Sequence, residues 1–132
     1  MEKIIVHITW LDNYGAYSDV VDGCVATNDT LEGVKQAYRE ALELHLQGMR
    51  EDGDDIPSEL QGPYELIFVL NTQALLKHYD GILTRAAISR LTGINEKQLG
   101  HYIQGIRTPR KEQRTKIING LHSLARELES VE

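Results

Sequence analysis

The sequence predicts an α+β protein, a βββαβ module followed by an all-α module. Three observations carry that reading. Ile4, Val6, Ile8 and Trp10 alternate with Ile5, His7 and Thr9, and a second apolar run, YELIFVL, stands at 64–70. Between them, apolar residues recur at helical spacing from Leu31 onward. After Leu70 the strand signals stop, and four or more short helical patterns follow, separated by tight Gly turns. The expected modules are 1–70 and 71–132, with no long linker.

Each element has its own signal. The period-two stretch 4–10 is a strand. LDNYG, 11–15, has turn chemistry, because Asp and Asn bond their own backbone and Gly tolerates positive φ. AYSDVV and CVAT read as two further strands split by a hairpin at Asp22-Gly23. Thr30 opens a helix bearing Leu31, Val34, Ala37, Tyr38, Ala41 and Leu42, expected to run to about Gln47 and stop at Gly48. MREDGDDIPSELQGP, 49–63, is acidic and rich in Pro and Gly, so an exposed loop is expected. The unbroken apolar character of 64–70 suggests a central strand, and the preceding helix supplies the crossover that a parallel strand needs.

In the second half, Asn71-Thr72 opens a helix with Leu75, Leu76 and Tyr79, ended by Asp80-Gly81. Thr84 caps the next, which carries Ala87, Ile88 and Leu91. Gly93 and Ile94 turn the chain, and Asn95 caps a third helix with Leu99, Tyr102 and Ile103 inward. A last helix from near Arg110 places Ile117, Leu121, Leu124 and Leu128 on one stripe.

Charge is unevenly divided. The net charge is −6, but residues 1–83 hold 15 acidic and 5 basic residues and residues 84–132 hold 5 acidic and 9 basic. Between 84 and 119 the count is 8 basic to 2 acidic, a composition able to meet phosphate, though a solvated basic face has the same composition. The single cysteine, Cys24, excludes an internal disulfide framework and fits a reducing cytosol. MEKIIVHITW lacks the form of a secretory signal, and no apolar run approaches the roughly 20 residues that span a bilayer. A cytoplasmic protein with no membrane partner is expected.

The helices expected on either side of Gly93 match the helix-turn-helix unit, a motif whose second helix enters the major groove. Ser89 is small where the helices are expected to cross most closely, and Ile94 and Leu99 anchor the second helix. Its outer face then offers Glu96, Lys97, Gln98 and His101. An amide such as Gln98 can bond adenine bidentately, and Lys97 or His101 can reach guanine acceptors. Thr84 and Asn95 lie at helix starts, where free N–H groups favour phosphate. Arg107, Arg110 and Lys111 stand where a DNA backbone would pass. Gly100, in mid-helix, permits close approach to DNA or weakens specific reading. The rival is a helical module of this shape that only dimerises.

The run ISRLTGINEKQLGHYIQGIRTP also resembles the helix-turn-helix of the Cro and phage-repressor class, with its small residue, Gly-Ile turn, polar helix and trailing Gly-x-Arg-x-Pro. Residues 14–61, which include YGAYSDVVDGCVATNDTLEGVKQAYREALELHLQGMREDGDDIP, resemble the HicB antitoxins. The shared marks are Gly15, Tyr17, Gly23-Cys24, Thr30-Leu31-Glu32, Ala41 and Ile56-Pro57. Many members carry Pro-Asp before the turn, where this chain has Asp19-Val20. The resemblance implies a partial RNase H-like module without nuclease activity. It implies a HicA-like toxin as partner, a small mRNA-cleaving protein that the antitoxin neutralises, and operator DNA bound to repress transcription. An RNA-binding toxin must be basic, and the acidic half complements it, though acidity alone also serves solubility.

Catalysis is not expected. Asp12, Asp19 and Asp22 lie in or beside turns, and Glu65 has no evident carboxylate partner. His7, His45, His78, His101 and His122 show no i,i+4 pairing, so neither a metal nor another cofactor is expected. Cys24 reads as a small buried hydrophobe. His45 reads as a surface residue near a helix C-terminus, and Trp10 as a core residue at the sheet edge. The whole reads as an antitoxin whose C-terminal module forms a homodimer or higher even oligomer through the far end of the last stripe. The alternative is a stand-alone repressor whose N-terminal domain senses a ligand or another protein.

Overall fold

The computed structural model describes all residues, Met1–Glu132. In order they form β1 (Glu2–Leu11), β2 (Asn13–Ser18), β3 (Val21–Asn28), α1 (Leu31–Asp52), a 3-10 turn (Ser58–Leu60), β4 (Tyr64–Leu70), α2 (Thr72–Asp80), α3 (Arg85–Thr92), α4 (Glu96–Gln104) and α5 (Lys111–Glu129). The chain is α+β, with one four-stranded mixed sheet and five α-helices. It divides into two compact units, Met1–Asn71 and Thr72–Glu132.

In the first unit the alternation of β1 does what period two requires. Ile4, Val6 and Ile8 are at most 1% exposed, whereas Ile5 on the opposite face is 42% exposed. The turn after β1 is tighter than LDNYG suggests. Only Asp12 reverses the chain, at φ 63, a backbone region that Asp tolerates better than most residues. Tyr14 and Gly15 are instead paired strand residues, opposite Trp10 and Thr9. Trp10 is half-buried and meets Tyr14 edge-on at 4.9 Å.

The second hairpin does not turn at Asp22-Gly23. It turns at Asp19-Val20, with Ser18 paired to Val21 and the Val20 N–H donating to Ser18 Oγ at 3.3 Å. Tyr17 already pairs with Val25, so β3 holds a bulge between these positions. Gly23, at φ 78, serves that bulge, which lets Val21 and Cys24 both face inward at 4% exposure. A glycine that tolerates positive φ signals a turn and a bulge equally, and here a serine side chain had already closed the turn.

Thr30 caps α1 by accepting from the Gly33 N–H at 3.0 Å. The helix then passes Gly48 and ends at Gly53. A mid-helix glycine costs only about 1 kcal/mol, too little to stop a helix whose stripe Val34, Tyr38, Leu42, Leu46 is fully buried. His45 therefore lies well inside the helix, away from its C-terminal dipole, with its ring near Gly23. The loop after α1 is correspondingly shorter than expected, and it buries Leu60 at 2% exposure.

β4 runs parallel to β1 in the strand order β3-β2-β1-β4, so it is an edge strand and not a central one. Its continuous apolar character divides between the face under α1 and the open face of the sheet. Leu66, Phe68 and Leu70 align with the buried Ile4, Val6 and Ile8. Lys35 and Arg39 of α1 lie over the Phe68 ring, 5.8 and 5.1 Å from its centroid. Ile67 and Val69 line the other face.

Burial pushes the pKa of both the Cys24 thiol and the Tyr38 hydroxyl up and keeps them protonated, and the two lie together in this core. The Tyr38 hydroxyl has no partner of normal hydrogen-bond geometry, and the thiol beside it is a weak one. Removing a poorly satisfied buried hydroxyl costs little. Tyr38→Phe is expected to hold or raise stability, by about 0–1 kcal/mol in a urea titration. A loss larger than that means the hydroxyl is properly bonded.

The second unit closes around Leu76, Ile88, Ile94, Leu99, Tyr102, Ile103 and Ile117. Thr72, buried at the start of α2, accepts a hydrogen bond from the Arg114 guanidinium of α5. The Gln73 amide donates to the Ile103 carbonyl at 3.0 Å, tying α2 to α4. Helices α3 and α5 approach closely at Gly120 of α5, where an added Cβ would stand 2.7 Å from the Leu91 carbonyl oxygen of α3.

Candidate nucleic-acid interface

The orientation of α4 is fixed by a chain of short local interactions. Thr84 caps α3, its Oγ1 accepting from the Ala87 N–H at 3.0 Å. α3 ends on Gly93 at φ 77, a conformation that side chains disfavour. Thr92 is buried and braces the turn, donating to the Ile88 carbonyl at 2.8 Å and accepting from the Ile94 N–H at 3.2 Å. Asn95 then caps α4, its Oδ1 accepting from the Gln98 N–H at 2.8 Å. Only Gly93, Ile94 and Asn95 separate the two helices. Ile94 at 4% and Leu99 at 0% exposure pin α4 from below.

Pinned this way, α4 leaves Glu96 and Lys97 exposed at its first turn, close to the cap that Asn95 provides. Two other expected readers stand differently. Gln98 is half-buried, and its amide donates to the Tyr102 hydroxyl at 2.9 Å. That bond uses one of the two amide hydrogens and fixes the orientation of the amide, whereas bidentate reading of adenine needs the amide hydrogen and the carbonyl turned together to the base. Gln113 approaches the same hydroxyl at 3.5 Å, so Gln98 is tied into the packing between α4 and α5. His101 is also half-buried, and its Nδ1 is buried without a partner. The amphipathic pattern placed both residues on the outer face, but their positions lie at its margin.

Gly100 is buried and does not face outward. An added Cβ there would stand 2.9 Å from Nη1 of Arg85. Arg85 in turn bonds Asp80, with Nε 3.3 Å from the carboxylate. The absent side chain makes room for a guanidinium that bridges the end of α2 and the start of α3. Sequence reasoning missed Arg85. The signal was present: a glycine inside a well-formed helix marks a close approach.

Beyond α4 the chain supplies cations. The backbone N–H groups of Ile106 and Arg107 both reach the His101 carbonyl, at 3.0 and 3.3 Å, which holds the turn after Gly105. Arg107, Arg110 and Lys111 are exposed. Arg110 stands at the N-cap of α5 without a capping side-chain bond. The unit has 10 basic and 6 acidic residues, so +4. Of the acidic ones, Asp80 is paired with Arg85, and Glu127, Glu129 and Glu132 cluster at the chain's end. The stretch from α3 to the start of α5 is therefore electropositive, and such a surface attracts a polyanion.

Thr84, Asn95, Glu96 and Lys97 thus stand at helix starts, two as caps and two as exposed first-turn residues. Arg107 and Arg110 stand in the following loop. No three His, Cys, Asp or Glu residues come together as a metal-holding group. No helix is long and apolar enough to cross a membrane. Comparison with known proteins finds no matching family model and no matching curated protein.

Proposed function

We propose that the chain is an antitoxin of a type II toxin–antitoxin system, of the HicB kind. Its C-terminal unit binds operator DNA as a helix-turn-helix, and its N-terminal unit, as a partial RNase H-like module, holds a small basic HicA-like toxin. In this reading the chain acts by binding and not by catalysis. The observation that carries it is the exposed start of α4, capped by Asn95 and pinned by Ile94 and Leu99, followed by Arg107 and Arg110. A capped, rigidly held helix start with an exposed lysine, followed by exposed arginines, can sit in a groove while cations grip the phosphates.

One such unit gives modest affinity, so a homodimer on a palindromic site is proposed, with half-sites about 34 Å apart or a multiple of it. Support comes from a groove of about 320 Å³ lined by Leu75, Tyr79, Leu83, Leu121, Leu124 and Leu128. Leu128 is 61% exposed there, more than folding of the unit asks of an apolar side chain.

The test is a gel shift with the gene's own promoter. Lys97→Ala is expected to cost about 1–3 kcal/mol and to relax selectivity at one base. Arg107→Ala is expected to weaken all DNA alike and to flatten the salt slope by about one. If neither change alters the shift, α4 does not read DNA. Co-expression with the neighbouring small reading frame tests the other half: rescue from toxicity is expected, and DNA binding without rescue favours a stand-alone repressor.

A further inference from the structure

The first unit leaves one face of its sheet uncovered. α1 packs on the face that carries Ile4, Val6 and Ile8. On the other face, pairing aligns Val25 with Tyr17, Tyr17 with His7, and His7 with Val69, one row across all four strands. Ile5 lies beside this row, two residues from His7 along β1. Val25 is 65% exposed, Ile5 and Tyr17 42%, and Val69 38%. The His7 ring lies against Tyr17, with centroids 5.0 Å apart, and its Nε2 is 3.3 Å from the Asp19 carboxylate. An apolar row with an aromatic at its centre, rimmed by charge, has the make-up of a protein contact.

Charge decides what covers it. The unit Met1–Asn71 has 14 acidic and 4 basic residues, so −10. Three of those four cations, Lys35, Arg39 and Arg50, belong to α1 beside five of the acids, whereas the strands and their turns carry Glu2, Asp12, Asp19, Asp22 and Glu65 against a single cation. Lys3 is the remaining one, and it pairs across the sheet with Glu65. Two copies of such a surface repel, whereas a cationic surface is drawn in.

We infer that the open sheet face, centred on Tyr17 and Val25 with Asp19 at its rim, is the docking surface for a small basic protein, seated by an apolar patch with cations around it. The inference rests on the reading of this unit as the toxin-binding half, and it assigns the side of the fold that does the binding. The helix α1 lies on the reverse and stays free.

The probe is the protein encoded by the small reading frame next to this gene, titrated against the full-length chain by calorimetry. Tyr17→Ala and Val25→Lys are each expected to weaken binding about 30-fold or more, as loss of a central contact does. Both are expected to leave promoter binding unchanged, which shows that the chain is folded. Glu40→Lys, on the exposed part of α1, is expected to change affinity by no more than about threefold, as a charge remote from the contact does. If the sheet variants bind like the wild type while Glu40→Lys does not, docking is on the helix side; the inference falls and the antitoxin reading stands. If Tyr17→Ala or Val25→Lys changes the oligomeric mass of the free chain, the face is a contact between copies and the inference falls. If the wild-type chain does not bind the probe, both fall together.

Discussion

Leu99→Ala is expected to destabilise the C-terminal unit by about 2–5 kcal/mol, the usual cost of emptying a fully buried leucine site. Leu99 is 0% exposed and lies in α4 among Ile88, Ile94, Tyr102, Ile103 and Ile117. The cavity would open directly beneath the helix whose orientation the proposed DNA contact needs. Promoter binding should therefore fall with stability, because only the correctly folded fraction can bind. Lys97→Ala is the contrast. Lys97 is exposed and its side chain takes no part in the Asn95 cap or the core, and such a surface substitution stays within about 0.5 kcal/mol in stability. Urea unfolding and gel shift on the two variants separate the roles: one residue holds the helix, the other uses it. A Leu99→Ala chain of wild-type stability would mean that α4 is not held from below.

Gly120→Ala is expected to destabilise the same unit by about 1–3 kcal/mol, although alanine is the better helix former by about 1 kcal/mol. The new Cβ would stand 2.7 Å from the Leu91 carbonyl oxygen and 3.0 Å from its carbon. Those are backbone atoms at the end of α3, directly before the Gly93 turn, and they cannot swing aside as a side chain can. Gly100→Ala makes an informative comparison. Its Cβ would meet only the far end of the Arg85 side chain, at 2.9 Å, with the next atom at 3.8 Å. Arg85 can shift, so this substitution is expected to be neutral or to gain up to about 1 kcal/mol of helix propensity. In a thermal melt of a unit this size, each kcal/mol moves the midpoint by roughly 4–8 °C. If the two glycines respond alike, the close approach of α3 and α5 is not what Gly120 serves.

Much of this architecture was legible because local chemistry and fold agreed. Thr30, Thr84 and Asn95 are all caps with the bond that their sequence position suggests. The apolar spacing also named Ile94 and Leu99 as anchors, since a short helix has few residues able to face inward. What misled was glycine and strand order. Gly23 fits a turn and a bulge equally, and which one forms depends on the Ser18 side chain and on burying Cys24. Gly48 resembles a stop, but whether a helix stops depends on the packing of Leu46 against the sheet, a tertiary fact. The apolar run of β4 suggested a central strand, because sequence cannot tell a strand with one open apolar face from a fully buried one.

The proposed site was legible in outline only. Lys97, Arg107 and Arg110 follow from the exposed part of the pattern. Gln98 and His101 sit at the edge of the apolar arc, where a small rotation decides between groove and core. The Tyr102 hydroxyl draws Gln98 inward, and no periodicity encodes that bond. Arg85 escaped notice because its partners are Asp80, five residues earlier, and the space above Gly100, fifteen residues later.

The central claim is that the start of α4 and the loop after it face nucleic acid. The most direct measurement titrates the isotope-labelled full-length chain with a duplex of its own promoter and follows each backbone amide by NMR. The account predicts the largest shifts at Thr84, at Asn95–Gln98 and across Arg107–Lys111, with β2 and β3 unmoved. Shifts confined to the sheet, or an α4 start that stays silent while the chain binds, would contradict it.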